Sequence, residues 1–386
     1  MDLAWFYVKK KNKQTKKYHF YFMFKILVIN PGSTSTKFAV FEDDNQKAAY
    51  TIRHSTEEVS KFKRVIDQLD YRYELIMNFL KKEGIDVSEF SAVIGRGGML
   101  PPVQSGVYAV NEAMMDVMRR AVKGEHASNL GAFLAYKMAG ESGKCMAYIA
   151  DPVAVDEMSD LARISGLPEI PRTSLFHALN HKAIARLHAE KIGKKYEDLN
   201  IVIAHLGGGI TVGAHQKGRV VDVNQGLDGY GPFSPERSGT LDAGVIVRMC
   251  FSGNYTQAEL LKKLAGQGGL TAHCGTNNVQ ELEKRIEEGD EHAKLILQAM
   301  CYTIAKEITS LFAVFKGQID GVILTGGIAY SDFIVKEINT RVEPFATVYV
   351  YPGEDELRSL ALSALRALNG EDVKEFVVKS NPDYNI

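Results

Sequence analysis

Three short stretches of the chain collect residues suited to holding an oxyanion. They are Pro31-Gly32-Ser33-Thr34-Ser35-Thr36, then Gly207-Gly208-Gly209, then Gly326-Gly327 directly after the apolar run Val322–Thr325. Glycine has no Cβ and lets backbone N–H groups approach a ligand closely, while Ser and Thr add hydroxyl donors. Phosphate binding is the chemistry such turns serve. Each turn alone is equally an ordinary hairpin connection; the three together are the signal. A Walker pattern G-x-x-x-x-G-K-[ST] is missing, as are H-R-D and D-F-G, so neither a helix-capping P-loop nor a protein kinase is indicated.

Two arginines also sit among small residues: Arg96 in Gly95-Arg96-Gly97-Gly98 and Arg237 in Pro235-Glu236-Arg237-Ser238-Gly239. A guanidinium stays charged in a dry cleft and pairs bidentately with carboxylate or phosphate, yet on residue type alone each reads as a solvated surface side chain. His177 and His181, four apart, would share one helix face and resemble a zinc pair, but no Glu lies between them in the metalloprotease arrangement. Cys145, Cys250, Cys274 and Cys301 form no C-x-x-C pair, so a zinc ribbon or disulfide framework is not expected and a reducing, cytoplasmic setting is.

The elements that position these residues alternate. Val59, Phe62, Ile66, Leu69, Tyr73, Ile76 and Leu80 step by three and four between Glu58 and Lys82, which writes one long amphipathic helix ending at Gly84. Short β-like runs at Ala92–Ile94, Cys145–Ala150, Ile201–His205, Val322–Thr325 and Thr347–Tyr351 alternate with helices led by Asn111, Asn129, His177, Asn277 and Glu354. That alternation indicates an α/β fold. An internal echo goes further: Ile26–Asn30, polar turn, Lys37–Phe41 is repeated by Ile201–His205, glycine turn, Ile210–Ala214. Two related domains, with the turns facing each other, would clamp a polyphosphate.

Composition bounds the alternatives. The chain has 386 residues and a net charge of −1, with 24% charged residues, the balance of a globular protein of two or three domains. Residues 1–22 carry six lysines and one acid, +5, which leaves −6 on the rest. This stretch is expected to be a disordered extension from a start upstream of Met23, a nucleic-acid or membrane-surface arm being the alternative. The acidic remainder argues against a nucleic-acid partner. With no apolar run of about 18 residues, no membrane partner is expected, and the sequon Asn254-Tyr255-Thr256 is then a chance match.

In order, N-P-G-S-T-S-T-K (Asn30–Lys37), G-R-G-G (Gly95–Gly98), F-H-A-L-N-H (Phe176–His181), H-L-G-G-G (His205–Gly209), P-E-R-S-G (Pro235–Gly239) and T-G-G-I (Thr325–Ile328) resemble the acetokinase family from Met23 to the C-terminus. The resemblance implies two similar ribonuclease-H-like, actin-like ATPase domains, residues 23–150 plus 357–386 and residues 151–356, with nucleotide in the cleft. It implies ATP/ADP and Mg²⁺ as cofactors, a small carboxylate as acceptor, reversible transfer to an acyl phosphate, and a homodimer or larger homo-oligomer. Arg96 and Arg237 would bind the carboxylate and the phosphoryl group, His177 would hydrogen-bond that group with His181 in support, and Asp151 would align an arginine or the metal shell. Asn30, Ser33, Ser35 and Lys37 would form the first phosphate loop, and His205, Gly207, Gly208 and Gly209 the second, with His205 equally a buried structural histidine. Gly326 and Gly327 would lie against the nucleotide. Asn30 and Glu356 would serve the metal, with Glu354 the alternative register and a plain helix-start acid the alternative role. His126 falls where relatives carry a cleft histidine.

Departures from the acetate kinase pattern bear on the acceptor. Gly208 stands where Asn is usual, so backbone N–H groups must serve the phosphate. Gly97 and Gly98 replace bulkier residues and are expected to leave room for a longer acyl tail, giving butyrate over acetate, propionate or isobutyrate. A carboxylate is already ionised near neutral pH, so no catalytic base is required, whereas a sugar kinase would need one. The rival from another class is a chaperone-like nucleotide switch on the same fold, which has no use for two acceptor arginines.

Overall fold

The computed structural model describes residues 23–378; the basic stretch 1–22 lies outside the described residues. The described residues form twelve strands: β1 (Lys25–Pro31), β2 (Ser35–Glu42), β3 (Asn45–Arg53), β4 (Ala92–Arg96), β5 (Val107–Ala109), β6 (Met146–Ala150), β7 (Asn200–Leu206), β8 (Ile210–Gln216), β9 (Arg219–Val223), β10 (Gly321–Gly326), β11 (Val348–Pro352) and β12 (Val373–Glu375). They form a seven-stranded sheet, β12-β5-β6-β4-β1-β2-β3, and a five-stranded sheet, β11-β10-β7-β8-β9. Laid side by side, β6-β4-β1-β2-β3 and β11-β10-β7-β8-β9 have the same order and strand senses: an antiparallel three-strand meander continued by two parallel strands. The echo read from the sequence is thus a repeat of topology. Asn30 and His205 occupy equivalent places, paired across their hairpins with Lys37 and Thr211.

Both sheets are covered on two faces, as parallel strands require. Helices Leu69–Lys82 and Asn129–Ser142 cover one face of the first sheet, and helix Glu356–Leu368 packs Leu360, Ala361 and Ala364 on Ile26, Val28 and Ile94 of the other. On the second sheet, helices Glu291–Ser310 and Asp332–Val342 pack on one face, and Ala185 and Ala189 of helix Ala178–Lys191 pack on the other. Helices Ala178–Lys191 and Glu356–Leu368 touch, and Leu179 of the former is buried in the first sheet's core, so this pair joins the two halves.

One element departs from expectation. The single helix over Glu58–Lys82 is broken into Thr56–Ser60, a 3₁₀ turn Val65–Gln68 and Leu69–Lys82. Arg64 is extended at the break because its guanidinium is drawn to Glu125 (2.7 Å) and the Arg119 carbonyl (2.7 Å), and the Val65 N–H also goes to Glu125. Long-range pairing overrides the local periodicity. Helix Leu69–Lys82 ends at Gly84, which takes the left-handed conformation at φ 69°. Among the described residues no helix is long and apolar enough to cross a membrane, and the four cysteines are free.

Candidate active site

The first sheet delivers a polar cluster at the ends of β1 and β4. The Arg96 guanidinium meets the Glu356 carboxylate through two contacts, 2.9 and 3.2 Å, and the Asn30 side-chain amide donates to the same carboxylate at 2.6 Å. Glu356 reaches them because it is the first residue of the helix packed on β1 and β4, with Asp355 capping that helix through the Arg358 N–H. Lys37 and Ser33 are exposed at the β1–β2 turn and Ser35 is half-buried. Glu354 lies instead against His205, Oε2 to Nε2 at 3.5 Å. Desolvation in the crevice and the neighbouring Glu356 raise its pKa, with Arg96 and Lys37 opposing. Of the two acids weighed for the metal, Glu356 is the one beside Asn30.

Beneath the first turn lies a residue that no sequence pattern singles out. Arg72, 1% exposed, donates to the carbonyls of Gly32 (2.8 Å), Ser35 (3.2 Å) and Ser33 (3.4 Å), to Thr36 Oγ1 (2.9 Å) and twice to Gln68 Oε1. Among the described residues no carboxylate is within ion-pair distance of it, and burial pushes its pKa down to about 10. Because the peptide unit is planar and trans, carbonyls drawn inward turn the N–H groups of Ser33 and Thr34 outward. The turn becomes an anion nest with a buried cation behind it. Nothing in the sequence signals this, since a charged residue in an amphipathic helix ordinarily faces water.

The second turn is backed differently. Ser234 Oγ donates to the Gly208 carbonyl at 2.7 Å, and the Arg237 guanidinium lies flat on Gly209, where a Cβ would fall 1.9 Å from Nη1. Gly209 is glycine because an arginine occupies the space of its side chain. The third turn begins at Gly326 (φ 91°), whose missing Cβ lets it press on Leu206 O of β7; Gly327 faces open space. A pocket of about 270 Å³ opens between the second and third turns, lined by Gly208, Gly327, Asn277, Asn278, Glu283 and Tyr330 among others.

Beside the second turn sit the histidines. His177, at the N-cap position of helix Ala178–Lys191, stacks on His205 of β7 with ring centroids 3.9 Å apart and planes 15° apart. Its Nδ1 is 3.0 Å from Thr211 Oγ1, and His205 Nδ1 is 2.9 Å from Asn180 Oδ1. Burial lowers the His205 pKa to about 3, helped by Arg96 and then Arg237. His177 is likewise held well below the usual range, by burial first, then His205 and His181, with Arg237 and Arg96 adding. The two guanidiniums, one from each half, therefore bear on the same imidazole pair. His126, bonded to Ser128 at 2.8 Å, also has its pKa lowered by burial and by Arg96.

Asp151 does face an arginine, whereas Gly97 and Gly98 depart from expectation. Asp151 follows β6 beside the strand partner of Arg96, at φ 38°, and its buried carboxylate accepts from Ser105 Oγ (2.6 Å) and the Gly106 N–H (2.8 Å). The arginine it faces is Arg186, at 3.6 Å, rather than Arg96 or Arg237. Gly97 and Gly98 leave no room for an acyl tail: a Cβ at Gly97 would meet Pro152 at 2.6 Å, and one at Gly98 would meet Asn129 at 2.4 Å. Gly95 and Gly131, like Gly98, answer to the close approach of helix Asn129–Ser142 to β4 and the residues after it. These glycines serve packing. Among the described residues no group of three or more His, Cys, Asp or Glu could hold a metal ion.

The matched five-strand units and the joined helices define a two-sheet α/β fold with an internal repeat. It is the fold of Porphyromonas gingivalis acetate kinase (TM-score 0.75, 19% identity, 89% of this chain and 100% of that one) and of a Francisella tularensis propionate kinase (0.71, 19%, 88% and 99%). Entamoeba histolytica acetate kinase superposes similarly (0.70, 17%, 87% and 97%). Residues 170–386 match the Acetokinase family, and the chain belongs to that family. The matched segment carries His177, His205, the glycine turn, Arg237, Gly326, Gly327 and Glu356; Asn30, Arg96 and Asp151 precede it.

Proposed function

We propose that the protein transfers the γ-phosphoryl group of ATP to a short-chain carboxylate, forming an acyl phosphate and ADP, and that it runs in both directions. The observation that carries this reading is that Arg96, from the first half, and Arg237, from the second, both lower the pKa of the stacked His177–His205 pair beside the Gly207–Gly209 turn. A carboxylate oxygen attacks phosphorus, the O–P bond forms as the bond to the ADP oxygen breaks, and no proton has to move. The obstacle is repulsion between anions, so fixed cations and N–H donors around an in-line transfer are the main catalytic need.

The residues present have the chemistry for each task. The turns Gly32–Ser35 and Gly207–Gly209 offer N–H groups to the phosphates, and the pocket beside Gly208 and Gly327 suits the nucleoside. Arg96 and Arg237 receive the acceptor and steady the phosphoryl oxygens; that Arg96 grips the Glu356 carboxylate with two N–H groups displays this mode of binding. Mg²⁺ prefers few protein oxygens and several waters, which one carboxylate, Glu356, beside the Asn30 amide fits. When bound, the ion would screen the phosphate charge. Closure of the halves, taken as residues 23–150 plus 357–386 and residues 151–356, would exclude water as a competing acceptor.

Butyrate as the acceptor rests on the sequence resemblance alone, because Gly97 and Gly98 no longer supply the space. The test is a hydroxylamine trap for acyl phosphate with ATP, Mg²⁺ and C2 to C6 acids. A kcat/KM maximum at butyrate supports that assignment, a maximum at acetate or propionate replaces it, and ATP turnover that no acid stimulates removes the kinase reading in favour of a nucleotide switch. A cytoplasmic homo-oligomer belongs to the same proposal. Helix Ala243–Cys250 buries none of its residues in the chain and leaves Val245 and Val247 exposed, which favours contact with a second copy; sedimentation velocity checks the oligomeric state.

A further inference from the structure

A continuous chain of side-chain hydrogen bonds runs from the core to the crevice. Tyr196 OH is 2.7 Å from His215 Nδ1, His215 Nε2 is 3.1 Å from His181 Nδ1, His181 Nε2 is 3.0 Å from Thr211 Oγ1, and Thr211 Oγ1 is 3.0 Å from His177 Nδ1. Tyr196, His215, His181 and Thr211 are all buried, and only His177 at the end is partly open. Phosphoryl transfer as described does not call for three histidines in series.

We infer that Tyr196, His215, His181 and Thr211 act as positioning residues that fix the tautomer of His177, so that Nε2 carries the proton and offers an N–H to an anion in the crevice. Hydrogen-bond polarity sets the direction of every link. A neutral imidazole has one donor and one acceptor, and a hydroxyl donates once, so each link sets the next. Burial, then neighbouring charge, keeps His181 and His215 neutral, and burial keeps the Tyr196 phenol protonated.

Among the described residues the recorded hydrogen-bond partner of the Tyr196 hydroxyl is His215 Nδ1, so the O–H must donate there or go unmatched in the core. With Nδ1 accepting, His215 Nε2–H donates to His181 Nδ1, and His181 Nε2–H donates to Thr211. The Thr211 O–H then donates to His177 Nδ1, and the remaining proton of His177 is on Nε2. The reverse polarity would strand the Tyr196 proton and turn a lone pair of His177 toward an anion. His205 stands outside the chain, its Nδ1 held by Asn180. A neutral imidazole N–H aimed at developing charge is a known catalytic device, and a fixed tautomer avoids reorganisation at the moment of transfer.

The tautomer stands on its own; only its use toward a phosphoryl oxygen rests on the kinase reading. The test is long-range ¹H–¹⁵N correlation of ¹⁵N-histidine-labelled full-length protein, with the His177 signals assigned by their loss in His177→Gln. The expected result is a neutral Nε2–H His177 in the wild type, a shift toward the Nδ1–H form in Tyr196→Phe and Thr211→Val, and return of the wild-type pattern in Thr211→Ser. In the acyl phosphate assay Tyr196→Phe should lower kcat about tenfold with KM for both substrates nearly unchanged. A wild-type Nδ1–H or imidazolium His177, or an unchanged pattern in Tyr196→Phe, overturns the inference. A wild type with the expected tautomer but no acyl phosphate formation would instead overturn the kinase reading.

Discussion

The β1–β2 and β7–β8 hairpins share order and strand sense, yet each brings charge to its turn from a different side. Under the first turn a fully buried arginine, Arg72, pulls the carbonyls inward from behind, and among the described residues no acid neutralises it. Over the second turn Arg237 arrives from a loop and lies on Gly209. The repeat supplies the geometry; the charge was fitted to each half separately. The strand ends differ in the same way: Asn30 reaches an acid of the other chain end, Glu356, while the equivalent His205 is buried, neutral and stacked on His177.

The largest effect should come from the guanidiniums that both halves aim at the histidine pair. Arg96→Ala and Arg237→Ala should each lower kcat/KM for acyl phosphate formation by about 10²- to 10³-fold, ~3–4 kcal/mol of transition-state stabilisation. Near-normal activity in either variant would break the claim that the halves act on one reacting centre.

Next comes the contrast between the turns themselves. Gly209→Ala puts a Cβ on the Arg237 guanidinium, a flexible side chain that can move, so the fold should survive while activity falls about tenfold or more. Gly207→Ala, whose Cβ would meet His205 Nε2 at 3.0 Å, should cost less. On the first turn Arg72→Met should raise the KM for ATP well above any change in the KM for the carboxylate. It should also destabilise the protein, since several inward carbonyls lose a donor and each unmatched buried acceptor costs about 1–3 kcal/mol. Thermal unfolding and a two-substrate kinetic matrix check both halves of that expectation.

How far this comparison was legible in the sequence depends on where each signal lives. Turn chemistry is local, so the three glycine turns, the echo of the hairpins and the residues at strand ends could be read directly. Arg72 could not, because its partners lie about 40 positions away at Gly32–Thr36 and a cation within an amphipathic helix looks solvated. Gly97 and Gly98 were legible as small but not as crowded, because Pro152 and Asn129 fill their space from other elements. The edge strand β3 escaped for a related reason: Asn45–Arg53 is polar and mostly exposed, so it carries no apolar run.

The smallest effect concerns pH. His205 and His54 titrate at about 3 and about 4 in the folded protein, chiefly through burial, against an ordinary value of 6.5. The unfolded chain therefore binds protons first as pH falls. Their contribution to stability is fully present above about 6.5 and is lost progressively down to the folded values. Chemical denaturation at pH 7.5 and 5 should show that loss, and His205→Gln should flatten the slope relative to the wild type. An unchanged slope would place the burden on other groups.

The most direct measurement is a crystal structure with Mg²⁺, ADP, a short-chain carboxylate and aluminium fluoride as a planar mimic of the phosphoryl group in transit. The account predicts the planar anion between the two turns, within hydrogen-bond distance of Arg96, Arg237 and His177 Nε2, with a carboxylate oxygen in line on one side and ADP on the other. Finding the anion outside that crevice, or either guanidinium turned away from it, would contradict the account.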